Sequence, residues 1–322
     1  MIVVWRVTTR CNLGCGYCAY DRELPLSRTE IDAATVLRFA GVLSKYRTLT
    51  GNAVMISWLG GEPLLWKPLA SLSKVLTEEL RLQLSATTNG TALKSAPMRA
   101  LIAGHFTELT VSVDGPSSFH DQIRKWPGGF EQLRAGVAQL RADAQHREQR
   151  LRLRINTVLM EQNIHLFSEL CEQLLSWDID EITFNQLGGN DRPDFHREHR
   201  LQPAHVEALA IMLPVLRERL RVRGIRLNGG VQYLQRFRAS ASGEQLRIAS
   251  CSPGKNFLFI DEHGRAAPCS FTTPDYAVRL DELRSVDDLL ALNQRYEQAV
   301  AQRRSRWCDD CPSTQVFEKF VD

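Results

Sequence analysis

Ile2-Val3-Val4-Trp5-Arg6-Val7-Thr8-Thr9-Arg10-Cys11-Asn12-Leu13-Gly14-Cys15-Gly16-Tyr17-Cys18 is the stretch from which the rest of the chain can be read. Ile2 to Thr9 opens on β-branched and aromatic side chains and predicts a strand. Cys11, Cys15 and Cys18 follow it at once, spaced Cys-x-x-x-Cys-x-x-Cys. Three thiolates within eight residues can wrap one metal centre, and thiolate is the usual ligand of iron–sulfur clusters and of zinc. A closed zinc site wants a fourth ligand, and none is nearby in sequence. Three cysteines on a four-iron cube leave one iron open, as a reactive cluster needs. The plainer alternative is a zinc knuckle completed by a distant ligand.

Outward from this stretch, strand-like and helix-like segments alternate. Val54 to Leu59, Leu82 to Thr87, Leu109 to Val113, Leu151 to Leu159 and Ile182 to Leu187 predict further strands. Ile31 to Tyr46, Leu69 to Leu80, Pro97 to Ala103, Phe130 to Ala144, Ile164 to Trp177 and Pro203 to Val222 predict helices between or after them. Such alternation indicates a parallel sheet of βαβ units. Six units can close partly, as a partial barrel, and composition does not separate that from a doubly wound sheet. After residue 224 the pattern changes. Phe257 to Ile260, the turn Asp261 to Gly264 and Arg265 to Pro268 predict a hairpin, and Leu280 to Arg304 a mostly helical segment, with Leu283, Leu289, Leu290 and Leu292 apolar.

The chain has 322 residues, 43% hydrophobic and 24% charged, which excludes general disorder. No apolar run approaches the ~18 residues of a membrane span, and the start, Met1 to Arg6, lacks the pattern of an export signal. A net charge of +3 falls short of a nucleic-acid footprint. The expectation is therefore a cytoplasmic protein without membrane or nucleic-acid partners. Its eight cysteines are then reduced thiols, better read as metal ligands than as disulfides. Cys251 and Cys269 flank the hairpin, and Cys308 and Cys311 form Cys-x-x-Cys after the helix. Alone, these two pairs suit a zinc ribbon. Cys171 sits on the apolar stripe of a helix and reads as core packing.

Together with the first three cysteines, four further motifs resemble the radical SAM superfamily, in its SPASM and twitch branch. They are Gly60-Gly61-Glu62-Pro63, Thr87-Thr88-Asn89-Gly90, Ser112-Val113-Asp114-Gly115 and His120-Asp121-Gln122-Ile123-Arg124. The first three fall at strand ends, where ligands of α/β sheets bind. The resemblance implies an α/β fold, a partial (β/α)6 TIM-like barrel at 1–224, followed by a connector at 225–250. A small cysteine-rich twitch domain, a β-hairpin plus helix, would fill 251–322. It implies two [4Fe-4S] clusters, one on Cys11, Cys15 and Cys18 and an auxiliary one on Cys251, Cys269, Cys308 and Cys311.

The resemblance also implies S-adenosylmethionine as cofactor. Gly60, Gly61, Glu62 and Pro63 would offer backbone groups to its amino end, with the glycines allowing close approach to the ligand. Tyr17 would lie near adenine, Asn89 and Ser112 would bond ribose hydroxyls or the carboxylate, and Arg124 would pair with that carboxylate. Glu62 equally suits a buried structural carboxylate. Asp114 would face substrate and orient it or accept a proton, and Gly188 to Phe195 would form a substrate loop. The implied activity is reductive cleavage of S-adenosylmethionine to a 5′-deoxyadenosyl radical that abstracts a substrate hydrogen atom. The net change would be oxidation of a natural-product intermediate, with an electron donor such as flavodoxin or ferredoxin. A strand starting at residue 2 leaves no room for a leader-peptide domain ahead of it, and the single auxiliary cluster resembles the aminocyclitol dehydrogenases. Both favour a small polar sugar-like substrate over the alternative, modification of a ribosomal peptide. The non-enzymatic alternative is a zinc-stabilised binding protein.

Overall fold

A computed structural model describes residues 1–145, 150–248, 250–314, 316–317 and 319–320. Its ten strands are β1 (Ile2–Thr8), β2 (Met55–Gly60), β3 (Gln83–Thr88), β4 (Glu108–Ser112), β5 (Arg152–Leu159), β6 (Glu181–Gln186), β7 (Arg226–Leu227), β8 (Phe257–Ile260), β9 (Arg265–Ala267) and β10 (Val278–Arg279). They form one sheet in the order β10-β9-β8-β1-β2-β3-β4-β5-β6-β7. From β8 across to β7 every neighbouring pair is parallel.

That order separates the two α/β alternatives. A doubly wound sheet reverses direction at a switch point, but β1 to β6 advance one place at a time. With right-handed crossovers this puts every connecting helix on the same face, as in a partial (β/α)6 barrel. Burial agrees. Val3, Trp5 and Val7 are fully buried beneath the helices, while Val4 and Arg6 between them are half-buried on the concave side. The first helix, Ala33–Thr50, starts at Asp32, whose side chain accepts from Thr35 N–H, and stops at Gly51 with φ 73°. Its Phe39 meets Trp5 edge-on at 5.9 Å, and Trp5 lies 6.1 Å from Trp58. Large aromatic rings are thus packed between the sheet and its first helix.

The structure adds detail to three of the expectations. The stretch 225–250 is not a bare connector: β7 pairs with β6, and the helix Val231–Ser242 packs Tyr233 and Phe237 against Phe184. Nor does the hairpin stand apart from the barrel. β8 lies beside β1 with Ile2 opposite Phe257 and Trp5 opposite Ile260, and β9 and β10 extend the same sheet. The physical reason is that β1 would otherwise be an unpaired edge. The helix expected within Leu280 to Arg304 begins only at Val286, where Ser285 and Asp288 form a capping box, and Leu290 faces solvent. Residues 146–149, 249, 315, 318, 321 and 322 of the expected segments lie outside the described residues.

Candidate active site

All the strand-end motifs gather at the carboxyl edge of the sheet, and the cysteine loop is held there by backbone. Gly61 N–H donates to the Thr8 carbonyl at 2.9 Å, and Glu62 N–H to that of Arg10 at 2.7 Å. A Cβ on Gly60 would lie 2.5 Å from the Thr8 carbonyl oxygen, and one on Gly61 would lie 2.3 Å from that of Arg10. The glycines therefore allow the cysteine loop a close approach. Pro63 starts a short 3-10 turn capped by Glu62.

Glu62 is fully buried. It accepts from Thr88 Oγ at 2.7 Å, Asn89 N–H at 2.6 Å and Leu64 N–H at 3.0 Å. Burial raises its pKa to about 6 against those three donors. It braces the β2 loop against the β3 loop, which is the structural-carboxylate reading. Asn89 is used in the same way. Its Nδ2 donates to Asn12 Oδ1 at 2.9 Å and reaches Cys11 Sγ at 3.7 Å, while its Oδ1 accepts from Thr91. Asn89 thus fixes the cysteine loop.

Asp114 is among the most fully engaged of the expected site residues. It has no solvent exposure. One carboxylate oxygen accepts from Tyr17 OH at 2.7 Å and Arg124 Nε at 2.8 Å, and the other from Val158 N–H at 3.0 Å. Burial pushes its pKa up, but Arg124 more than offsets this and the carboxylate sits below its usual range. All three of these donors belong to the protein itself. The carboxylate is the anion that orients Arg124 and Tyr17. Arg124 also lies 5.8 Å from the Tyr17 ring, and Phe195 packs on that ring at 6.3 Å. Tyr17 is therefore held by its hydroxyl as well as its ring. Ser112 ends β4 opposite Asn156, half-buried on the concave side.

Burial raises the thiol pKa values of Cys11, Cys15 and Cys18, that of Cys15 to about 12, and repulsion from the neighbouring would-be thiolates adds to the shift of Cys15 and Cys18. Iron or another cation would relieve that repulsion. Among the described residues, no three His, Cys, Asp or Glu side chains converge as ligands of a single ion. A four-iron cube, whose thiolates bind separate irons, suits wider spacing than tetrahedral zinc does.

Cys251, Cys269, Cys308 and Cys311 all line one cavity of about 410 Å³, with Pro268, Tyr276 and Trp307 in its wall. Burial raises the thiols of Cys251, Cys308 and Cys311, the last to about 11, and each is raised further by its neighbouring cysteines. Four thiols around a cavity of this size fit a cluster fully ligated by protein. Cys269 also lines a second cavity, of about 560 Å³, between this site and the barrel. Val4 and Leu59 from the concave face and Gly188, Gly189 and Asn190 from the loop after β6 line that chamber. Cys171 is buried in the core, on a helix behind the sheet. Thr157 bonds the Val113 carbonyl at 2.7 Å and is structural.

Sequence reading missed the chamber's other walls. Tyr233, Phe237 and Ser240 come from the helix in the supposed connector, and Phe271 and Trp307 from the C-terminal part. Lys319 was missed too. Buried on the concave side, it donates to Asn185 Oδ1 at 2.9 Å and Asn156 Oδ1 at 3.3 Å. The aromatic residues at helical spacing, Tyr233 and Phe237, were the available signal; Lys319 carried none.

Among the described residues, no helix is long and apolar enough to cross a membrane. The AdoMet-dependent heme synthase of Nitratidesulfovibrio vulgaris is 24% identical over 302 residues, spanning 85% of this chain and 74% of that protein. The structure of anSMEcpe with bound AdoMet and Cp18Cys peptide superposes with a TM-score of 0.68 at 16% identity, covering 100% of this chain and 90% of that one. Streptococcus suis SuiB bound to precursor peptide SuiA gives 0.66 at 16% identity, covering 98% and 70%. At such identity these structures speak for the fold alone. The sequence profile described as the radical SAM superfamily matches residues 5–174, more than half of the chain, and the chain belongs to that superfamily.

Proposed function

We propose that this enzyme is of the twitch type and oxidises a substrate held between two [4Fe-4S] clusters. The carrying observation is that Cys269 lines both the four-cysteine cavity and the chamber open to the barrel. Cys11, Cys15 and Cys18 would hold the first cluster, and Cys251, Cys269, Cys308 and Cys311 the auxiliary one. When bound, the clusters and S-adenosylmethionine supply one-electron reduction, hydrogen-atom abstraction and an electron sink. The chain's own residues position and exclude. Gly60 to Pro63 would offer backbone carbonyls to the methionyl amino group, those of Glu62 and Pro63 while also accepting from Leu65 and Trp66 N–H. Arg124, aimed by Asp114, and Ser112 take the carboxylate, and Tyr17 stands against the adenosyl part. Glu62 and Asn89 hold the loops in register. Asp114 is a positioning anion, and a bound water is the better proton acceptor.

The relatives named above are a heme synthase and enzymes bound to peptides. The chamber here mixes amides and glycines with Tyr233, Phe237, Phe271 and Trp307. That wall suits a partly apolar molecule with polar groups better than the small sugar favoured by the cysteine spacing. Fully ligated auxiliary iron favours outer-sphere electron acceptance, and hence net two-electron oxidation. Eight free thiols suit a cytoplasmic setting.

Anaerobic reconstitution tests the assignment. The protein should hold ~8 irons and ~8 sulfides per chain, the sum of two cubes. Replacing Cys11, Cys15 and Cys18 by Ala should leave about half and abolish 5′-deoxyadenosine formation. Replacing Cys308 and Cys311 should remove the other half and stop product formation, while S-adenosylmethionine is still cleaved. Undiminished cleavage in the triple variant refutes the first site. Normal product from a folded double variant lacking the second cluster refutes the electron-acceptor role.

A further inference from the structure

The chain's charge is distributed unevenly around the cysteine loop. On the outer side of that loop a recess of about 500 Å³ is lined by Arg10, Arg22, Arg28, Lys67, Glu30 and Leu65, with Cys11 also in its wall. Four cations against one carboxylate give this recess the same +3 excess that the whole chain carries. The rest of the chain sums to zero formal charge, so the excess is concentrated at this recess. The cations are also not neutralised in place. Arg28 spends its guanidinium on the carbonyls of Thr9, Tyr20, Asp21 and Leu24, which fixes its position but leaves its charge uncompensated. Arg22 likewise donates to a carbonyl, that of Asn12, at 3.1 Å. Arg10 is 61% exposed and meets Glu30 only at 3.6 Å. Lys67 is exposed and has no ion pair among the described residues. Leu65, 42% exposed, places an apolar contact amid the charges.

We propose that this recess is the docking surface for an acidic one-electron carrier protein. The inference rests on Cys11 being a ligand of the first cluster. One electron leaves the reduced carrier and reduces that cluster by one unit; the carrier is oxidised by one, and no bond forms or breaks. Three features favour a redox protein over a small anion. Cys11 brings the cluster to the recess wall, which shortens the electron's path. Tyr17, Asp114 and Arg124, which would hold the cofactor, bond one another and none of them lines this recess. An exposed leucine ringed by cations is the composition of a protein contact with a charged rim.

Arg10→Glu combined with Lys67→Glu tests this without touching the loop's internal bonds. The probes are a purified acidic flavodoxin and a purified acidic ferredoxin, each titrated calorimetrically against the reconstituted protein at low and high salt. At least one should bind wild type with an affinity that weakens as salt rises, because steering charges are screened. The double variant should bind that carrier at least ~10-fold more weakly and show a flatter salt dependence. Stopped-flow reduction of the first cluster by the reduced carrier should slow by a similar factor, while dithionite reduces both proteins equally fast. Two results overturn the proposal: equal binding and reduction in the variant, or binding of neither carrier at about 100 μM. Failure of the underlying reading looks different. If Cys11→Ala keeps all its iron, Cys11 is no ligand, whatever the carriers do.

Discussion

Gly61→Ala should cost this protein both stability and its first cluster. The added Cβ would stand 2.3 Å from the Arg10 carbonyl oxygen, 2.6 Å from the Arg10 carbonyl carbon and 3.0 Å from the Thr9 carbonyl oxygen. Every one of these atoms is backbone, so no rotamer change makes room. Restoring ordinary contact requires the two loops to part by about 1 Å. That separation breaks the bonds from Gly61 N–H to Thr8 and Glu62 N–H to Arg10, now 2.9 and 2.7 Å. Two hydrogen bonds at about 1 kcal/mol each, with about 1–3 kcal/mol of overpacking, give roughly 3–5 kcal/mol. The displaced loop carries Cys11, and a shift of about 1 Å at a reacting centre costs on the order of 100-fold in rate. Gly41→Ala is the control. Nothing lies within 4 Å of its Cβ position, and it sits inside the helix Ala33–Thr50, so the change should stabilise by up to about 1 kcal/mol. Urea denaturation, iron per chain after reconstitution and the rate of 5′-deoxyadenosine formation are measured on both. A Gly61→Ala protein that matches wild type in stability and iron would refute the close-approach argument.

Three further outcomes follow from the same geometry. Asp114→Ala strands the buried Arg124 without its anion and should cost about 3–5 kcal/mol in urea denaturation, an expectation defeated by an unchanged midpoint. Lys319, with burial and then Arg154 lowering its pKa from 10.5 to about 7, is a charge the folded state disfavours. The cost is full below pH 7 and vanishes as pH rises through 10.5, so Lys319→Met should stabilise by up to roughly 5 kcal/mol at pH 6 and far less near pH 10. A pH-independent difference would contradict that. For the reaction itself, turnover in deuterium oxide should give a product two mass units lighter than substrate, with no solvent deuterium on the reacting carbon. An isobaric product carrying one deuterium, lost on Cys171→Ala, would instead mean epimerisation with Cys171 as hydrogen donor.

The βα order was legible because each strand from Ile2 to Gln186 carries its own β-branched run and each intervening helix its own apolar stripe. The cysteine sets were legible because spacing in a loop is a local property. What escaped were relations between distant segments. Nothing in Phe257 to Ile260 says that its neighbour is Ile2 to Trp5 rather than a separate hairpin sheet. Asp114 looked available because its partners, Tyr17, Arg124 and Val158, lie 97, 10 and 44 residues away. The pair Gly60-Gly61 signals a close approach in sequence, but that the cysteine loop is one of the segments approaching is decided by the fold. Lys319 was illegible for the opposite reason: a lone lysine near a polar end reads as solvated until tertiary structure buries it.

The parallel pairing of β1 with β8 also bears on how the chain is made. β1 emerges early from the ribosome, yet the strand that covers its open side follows only after ~250 further residues, a separation typical of slow, high contact-order pairing. During that interval the six barrel strands can collapse around a β1 whose outer edge is bare, in a state prone to intermolecular pairing. Iron delivered to Cys11, Cys15 and Cys18 in that window would be bound by a loop whose supporting strand is not yet fixed. Shortening the chain ahead of Phe257 would therefore do more than delete the second cysteine set: it would leave the protein permanently at that exposed stage of its own synthesis.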